Sequence, residues 1–260
     1  MAQRTVRAAG KLFLGGALLA GLLVAALAAD LPAPPVHPNG GKLWQIVGGA
    51  CLPAMKANKT PGPCTAVEDG YVLLKDRVGI AQYLLMPDTD ITGIEDARVQ
   101  TVQTNFFARA WENRNLVAIK LGKNLSRDMM SVTVNSQYGR SQDLLHLHID
   151  CLGGDARKNI AVLRQTDSGW SKTPVMIAGH PYYVRAVMGE TLTVNPFRLV
   201  ADELPDAKTQ MAAWTIGLVG ATFDGKPGFW LLAGRADPAK GEWGSAESLQ
   251  DHTCKAVQPN

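Results

Sequence analysis

Leu144-Leu145-His146-Leu147-His148-Ile149-Asp150-Cys151 is the stretch of sequence that decides the fold, because apolar and polar residues alternate along most of it. This period of two residues is typical of a β-strand, in which successive side chains point to opposite faces of a sheet. His146, His148 and Asp150 would then share one face, with aliphatic side chains packed on the other. Imidazole is nucleophilic and titrates near neutral pH, so the shared face is a candidate catalytic surface. The alternative is a strand whose polar face only meets solvent.

The composition is that of a folded protein without an electrostatic preference for nucleic acid. Of the 260 residues, 46% are hydrophobic and 19% are charged, which supports one substantial core and excludes a disordered chain. Arg4, Arg7 and Lys11 account for the net charge of +3, because the other 23 basic residues balance 23 acidic ones. Nucleic-acid-binding proteins usually carry a basic surplus, so we expect no nucleic-acid partner.

The first 29 residues predict a membrane-targeting segment. An uninterrupted apolar run, 12–29, follows the three basic residues and would form a helix of roughly 27 Å. The segment is either a retained signal anchor or a signal peptide with a cleavage motif at Ala26-Leu27-Ala28. Because basic residues stay on the cytoplasmic side, both interpretations predict export of the remaining chain. Residues 30–42 are rich in proline and predict a linker, and residues 43–256 predict the folded domain.

The four cysteines agree with an exported protein. They are even in number and contain no C-x-x-C pair, which favours disulfides over zinc or redox chemistry. Of the three possible connectivities we favour Cys51–Cys64, which closes a loop rich in proline and glycine, together with Cys151–Cys254. The second bond would tie the C-terminal tail to the histidine strand. Free buried thiols are the alternative.

The remaining pattern predicts an α+β fold in one domain. Apolar residues spaced three to four apart predict a helix or helix pair over 96–122, and a short helix is expected at 43–47. No internal repeat or second linker is visible, so a single domain is the economical assignment. Besides the histidine strand, extended segments are expected at 70–75, 79–87, 131–135, 180–187, 211–222 and 228–232.

The histidine strand and the loop before it resemble the histidine-triad superfamily of nucleotide hydrolases and transferases. Asn135 lies eleven residues before His146, and Gln142 lies four before it, at offsets where this superfamily commonly places an asparagine and a glutamine. The chain departs from the pattern because Asp150 stands at the third histidine position and Asp143 replaces a hydroxyl-bearing residue. The resemblance implies a HIT-like antiparallel sheet with packed helices. It also implies that the middle histidine attacks a phosphate.

Within that superfamily, the chain resembles the bacterial CDP-diacylglycerol pyrophosphatases. The similarity rests on the N-terminal segment, the cysteines, the histidine strand and the segment Gly179-His180-Pro181-Tyr182-Tyr183. It implies hydrolysis of CDP-diacylglycerol to CMP and phosphatidate by an enzyme without a cofactor. It also implies a single-pass protein of the bacterial inner membrane with its catalytic domain in the periplasm, since the substrate is a membrane lipid. Neither the pattern nor the resemblance predicts an oligomeric state.

The same resemblance suggests a role for each polar residue. His148, at the middle position, would be the nucleophile that attacks the phosphorus bearing the cytidine. His146 would orient the pocket or protonate the leaving phosphate, and Asp150 would fix an imidazole tautomer or help to activate water. Asn135 and Gln142 would donate hydrogen bonds to phosphoryl oxygens.

A second polar cluster, formed by His180, Tyr182, Tyr183 and Arg185, is a candidate phosphate or headgroup site. The guanidinium of Arg185 presents several N–H donors in a geometry that suits phosphate oxygens. A purely structural role for these residues is the alternative.

Three other functions compete with the lipid pyrophosphatase. His146 and His148, with Asp150 or His180, have the residue types of a zinc site, so a metal-dependent hydrolase is one rival. A hydrolase acting on another nucleotide diphosphate is the second, because no residue reads the base. The third is a non-enzymatic envelope protein that binds a nucleotide or a lipid.

Overall fold

One antiparallel sheet organises the fold. The computed structural model describes residue 1, residues 31–164 and residues 169–257. Its strands are β1 (Ala66–Glu68), β2 (Tyr71–Lys75), β3 (Tyr83–Pro87), β4 (Met130–Val134), β5 (Leu147–Cys151), β6 (Val175–Ile177), β7 (His180–Met188), β8 (Trp214–Phe223) and β9 (Lys226–Arg235). They run in the order β1-β2-β3-β5-β4-β8-β9-β7-β6, and each neighbouring pair is antiparallel.

Short helices cover both faces of this sheet. A π-helical turn, Val47–Cys51, joins the first helix to the second, and single 3₁₀ turns punctuate the loops. The predicted α+β class is confirmed. The helices are α1 (Lys42–Ile46), α2 (Leu52–Asn58), α3 (Phe106–Glu112), α4 (Asn115–Leu121), α5 (Gly154–Ala161) and α6 (Pro196–Glu203).

The predicted histidine strand is observed as β5, in which the alternation is confirmed, but β5 begins at Leu147, so His146 lies immediately before it. β5 lies between β3 and β4, with His148 opposite Thr133 and Asp150 opposite Ser131 on β4. Leu147 and Ile149 belong to the main core on one face. The other face carries the polar residues, and it is buried rather than open to solvent, because Asp150 is fully enclosed.

The main core packs α3, α4 and α6 against the aliphatic face of the sheet. Phe107 contacts Phe197 with ring centroids 5.2 Å apart, and Trp111 meets Phe229 edge-on at 5.1 Å. The helical prediction over 96–122 is confirmed as a 3₁₀ turn followed by the α3–α4 pair. Helix α3 begins only at Phe106, because the Asn105 side chain accepts a hydrogen bond from a backbone N–H of α3 and caps the helix there.

The polar face of β5 lies between two smaller apolar clusters. The N-terminal helices pack over β2 and β3 through residues that include Leu43, Val47 and Leu84. The C-terminal tail packs over β8 and β9 through Ala246 and Leu249. His146 and His148 therefore lie between the N-terminal helices and the C-terminal tail.

The segment before β3 differs from the prediction. A strand was expected over 79–87, but β3 begins at Tyr83, and residues 76–81 form a loop between β2 and β3. Gly79 has φ +71°, which takes the backbone out of the extended region. Lys75 then holds the loop closed, because its ammonium donates to the carbonyls of Asp76 and Gly79.

Both predicted disulfides are confirmed. Cys51 bonds Cys64 beside the N-terminal helices, and Cys151 bonds Cys254 with the two Cα atoms 5.4 Å apart. The second bond joins the end of β5 to the C-terminal tail, which is the segment that covers the polar face.

The apolar run 12–29 lies outside the described residues, so its predicted role stays a prediction. Among the residues that are described, no helix combines the length and apolar character needed to cross a bilayer. Part of the predicted linker contacts the domain, because Tyr138 donates its hydroxyl to the Pro32 carbonyl and Asp143 N–H donates to the Gly40 carbonyl.

We expect the two disulfides to differ in their contribution to stability. They span sequence separations of 103 and 13 residues, and the chain-entropy relation gives about 4.7 and about 3 kcal/mol for loops of these sizes. The double variant Cys151→Ala/Cys254→Ala should therefore lose more unfolding free energy than Cys51→Ala/Cys64→Ala. Urea unfolding of the oxidised proteins measures both losses, and equal losses would contradict this account.

Candidate active site

Two buried histidines with different partners form the centre of the site. His146 and His148 are 7% and 5% exposed, and their ring centroids lie 4.9 Å apart. The Nδ1 atom of His146 is 2.6 Å from the Leu144 carbonyl oxygen. Because a carbonyl only accepts, Nδ1 carries the proton, and in the neutral ring the lone pair is on Nε2.

The Nδ1 atom of His148 meets side chains from two other segments. It lies 3.1 Å from Oε1 of Glu247 and 2.6 Å from the amide nitrogen of Gln82. The amide oxygen of Gln82 is buried without a partner among the described residues, and a 180° rotation of the amide would set it against Nδ1. A carboxylate and an amide oxygen would then both accept from Nδ1–H. The Nε2 atom of His148 is buried and has no described partner.

Glu247 is held in place by Asn135. The amide nitrogen of Asn135 donates to Oε2 of Glu247 at 2.6 Å, and its amide oxygen accepts from the hydroxyl of Ser245 at 3.2 Å. The tail reaches this position because the backbone N–H of Ala246 donates to the Thr215 hydroxyl on β8 at 3.0 Å. Both ends of the Asn135 amide are therefore engaged within the protein.

Asp150 pairs with a histidine of the tail. Its Oδ2 atom lies 2.8 Å from Nδ1 of His252, and its Oδ1 atom accepts from the Cys151 backbone N–H at 2.8 Å. The Nε2 atom of His252 is 3.7 Å from Oε1 of Glu247. The imidazole that Asp150 orients is thus His252, which extends the polar network without touching His148 directly.

Burial and charge set the protonation of these groups. Burial lowers the pKa of His146, and burial, with smaller electrostatic contributions from the neighbouring His146 and His252, lowers the pKa of His148 well below its usual value. Both rings are therefore neutral near pH 7. The hydrogen bond to Asp150 raises the pKa of His252, while burial raises the pKa of Asp150.

A narrow cavity opens beside His146 and Asn135. Arg140 lines it, and its guanidinium is bound by Glu95 at 2.6 Å and by Asp143 at 3.1 Å. A Cβ atom at Gly93 would overlap this guanidinium, so a larger residue there would displace Arg140. The positive charge of Arg140 also helps to lower the pKa of His146.

Gln142 lies two residues along the chain from Arg140, which lines the cavity. Its amide oxygen accepts from the Leu43 backbone N–H at 3.2 Å, at the start of α1. The contact fixes the amide and leaves its NH₂ group as a donor.

The second polar cluster lies elsewhere on the sheet. β7 is separated from β5 by β4, β8 and β9, which corresponds to about 19 Å. His180 pairs with Glu242 at 2.7 Å, and Arg185 pairs with Glu203. The Tyr182 hydroxyl contacts Ser248 at 3.2 Å. The structure does not bring these residues to the histidines.

Sequence reasoning missed three partners of the site, which are Gln82, Glu247 and His252. A signal for His252 was present, because the predicted bond between Cys151 and Cys254 places it close to Asp150. No local pattern marks Gln82 or Glu247, since each reaches His148 across 66 or 99 residues of sequence.

The zinc alternative can be compared with the donor geometry. Among the described residues, Asp150, Cys151 and Cys254 form the one group of three candidate ligands with donor atoms within 4.8 Å of one another. The two sulfurs are bonded to each other as a disulfide. The histidine nitrogens do not join this group.

We expect the stabilising contribution of His252 to depend on pH. Its pKa is raised in the folded state, so its stabilisation is fully present below about pH 6.5 and disappears as pH rises through the folded pKa. The difference in unfolding free energy between the wild type and His252→Gln should therefore shrink from pH 6 to pH 8.5. Urea unfolding at several pH values measures it, and a constant difference would contradict the ion pair.

Comparison with known proteins assigns the chain to a family. Residues 38–258 match the family profile described as CDP-diacylglycerol pyrophosphatase. A curated protein of Yersinia pestis, named CDP-diacylglycerol pyrophosphatase, is 38% identical over 245 residues, which are 92% of this chain and 94% of that protein. Both comparisons extend across nearly the whole described domain. The chain therefore belongs to the CDP-diacylglycerol pyrophosphatase family.

Proposed function

We propose that this chain hydrolyses the pyrophosphate bond of CDP-diacylglycerol to give CMP and phosphatidate. The name of the family and of the Yersinia pestis relative supports the substrate. The observation that carries the mechanism is the buried Nε2 atom of His148, which has no described partner while Nδ1 faces a carboxylate. This pairing favours the neutral tautomer with its lone pair on Nε2, as a nucleophile requires.

In the first step, Nε2 of His148 attacks the phosphorus that bears the cytidine. The N–P bond forms as the bridging P–O bond breaks, and the electron pair of that bond leaves with phosphatidate. A phosphate monoester has a second pKa near 6, so it departs as a stable anion with little need for a proton. The amide NH₂ of Gln142 is the proposed donor to the phosphoryl oxygens.

In the second step, water attacks the phosphorus of the CMP–His148 intermediate. The N–P bond breaks, its electron pair returns to Nε2, and CMP is released. His146 is the proposed base that accepts the proton of the water, because the contact of its Nδ1–H with Leu144 leaves Nε2 free to accept. The sequence suggested that His146 orients the pocket or protonates the leaving phosphate, and proton acceptance from water is a further role that we propose from this contact.

Glu247 stabilises the charge that develops on His148. Bond formation at Nε2 turns the ring into a cation while Nδ1 keeps its proton, and the carboxylate lies 3.1 Å from that nitrogen. A carboxylate in this position both selects the tautomer and stabilises the imidazolium. Asn135 is then a positioning residue that orients Glu247, and Asp150 acts through His252.

We further propose that residues 43–256 are a HIT-like catalytic domain on the periplasmic side of the bacterial inner membrane. Residues 1–29 would be the signal anchor or signal peptide, with 30–42 as the linker. Two disulfides and the apolar run support export. His37 pairs with Asp143 at 3.0 Å, so the linker ends against the loop that leads into the histidine strand.

Loss of the nucleophile should abolish turnover. We expect His148→Ala to lower kcat by about 10³-fold or more, because the proposed nucleophile is removed. Mass spectrometry of rapidly quenched wild-type protein with CDP-diacylglycerol in detergent should detect a CMP adduct on His148. Activity that chelator removes and zinc restores, with no adduct, would favour the metal-dependent alternative.

Loss of the Glu247 carboxylate should slow the chemical step. We expect Glu247→Gln to lower kcat by about 10²- to 10⁴-fold with little change in KM, because the tautomer and the imidazolium lose their partner. Glu247→Asp should recover part of the rate. Steady-state kinetics and the rate of adduct formation measure both variants.

Glu242→Gln is the matched control, since Glu242 also pairs with a histidine. It should retain wild-type kcat. An equal loss in both variants would mean that the His180 cluster takes part in the reaction.

A further inference from the structure

The 76–81 loop exposes apolar side chains beside the histidine site. Val78 is 57% exposed and Ile80 is 49% exposed, although both are large aliphatic residues. Arg77 precedes them and is also exposed. Two exposed aliphatic residues in one loop form a small apolar surface, and apolar surfaces rimmed by polar residues occur at contacts with partners or membranes.

The exposure is built into the loop. The Asp76 backbone N–H donates to the Gln82 carbonyl at 3.1 Å, and the Asp76 carboxylate accepts from the Val78 backbone N–H at 3.2 Å. With the ammonium of Lys75 bound to two loop carbonyls, the backbone is tied at both ends. The Asp76 carboxylate binds the backbone of its own loop, and Arg77 is the charged side chain of the loop that is exposed to solvent.

The loop is joined directly to the proposed catalytic residues. The Ile80 backbone N–H donates to the His252 carbonyl at 2.9 Å. Ala81 is fully buried, and the next residue, Gln82, contacts His148. A single residue, Ala81, therefore separates the exposed side chain of Ile80 from Gln82, which contacts the proposed nucleophile.

We propose that the 76–81 loop is the surface on which the enzyme meets the lipid bilayer. The inference rests on the proposed function, because acyl chains hold CDP-diacylglycerol in the membrane while its pyrophosphate must reach His148. Val78 and Ile80 insert at the level of the upper acyl chains, and Arg77 contacts lipid phosphates. An aliphatic tip beside a cation matches the apolar interior and anionic headgroups of a bilayer.

Kinetics on two substrates test the loop. The full chain carrying Val78→Ser/Ile80→Ser is assayed with dipalmitoyl CDP-diacylglycerol in mixed micelles and with monomeric dihexanoyl CDP-diacylglycerol. We expect kcat/KM to fall about tenfold on the long-chain lipid, since two partly inserted aliphatic side chains are lost. Turnover of the short-chain substrate should stay at the wild-type rate, which also shows that the variant is folded.

Val162→Ser/Met176→Ser is the matched control, because both are exposed apolar side chains, one at the end of α5 and one on β6, and β6 is the sheet edge far from β2 and β3. It should not change either rate. Equal losses on both substrates would mean that the loop acts only through Gln82 and His252, and no loss on the long-chain lipid would exclude insertion. Either result overturns the proposal.

Photocrosslinking separates this inference from the proposed reaction. A benzoylphenylalanine introduced at position 78 of the full chain should crosslink to phosphatidylglycerol in vesicles, whereas the same group at position 176 should not. Equal crosslinking at both positions, or none at 78, would overturn the membrane contact. If the wild type turns over neither the dipalmitoyl nor the dihexanoyl CDP-diacylglycerol, the proposed function is refuted. The crosslinking result then tests by itself whether the loop contacts the membrane.

Discussion

The burial of a charged and polar strand face is the constraint on which the rest of the structure depends. Asp150 is completely enclosed, and the two histidines beside it are nearly so. Polar groups removed from water destabilise a fold unless other groups replace the lost hydrogen bonds. The C-terminal tail supplies the partners, with Glu247 beside His148 and His252 beside Asp150. The Cys151–Cys254 bond holds that tail against the strand it must satisfy.

Two adjacent imidazoles acquire different chemistry from this arrangement. A backbone carbonyl fixes the proton of His146, whereas a carboxylate faces the corresponding nitrogen of His148. A carbonyl is neutral, so it orients a ring without stabilising positive charge on it as strongly as a carboxylate does. This difference is the physical basis for assigning the covalent step to His148 and proton transfer to His146.

Features encoded by local pattern could be predicted from the sequence. The alternation along β5, the extended segment that forms β4 and the helical region before it follow from spacing and residue type, and the disulfide pairing was the favoured one of three. The partners of the histidines could not be predicted, because Gln82 and Glu247 reach His148 only through the order of the strands and the path of the tail. The His180 cluster shows that residue types alone also do not tell which residues come together in the fold. Its residues resemble a phosphate site in sequence, but the strand order sets β7 four strands from β5.

The position of Glu247 after the described strands has a consequence for the order in which the protein matures. All nine strands precede it in the sequence, so the sheet can assemble before the carboxylate that completes the histidine site has arrived. Synthesis proceeds from the N-terminus, and disulfides persist only in oxidising compartments. The tail segment that satisfies the buried polar face is therefore the same segment that completes the histidine site, and both are in place only after the strands have been made, on the far side of the membrane that the chain is proposed to cross.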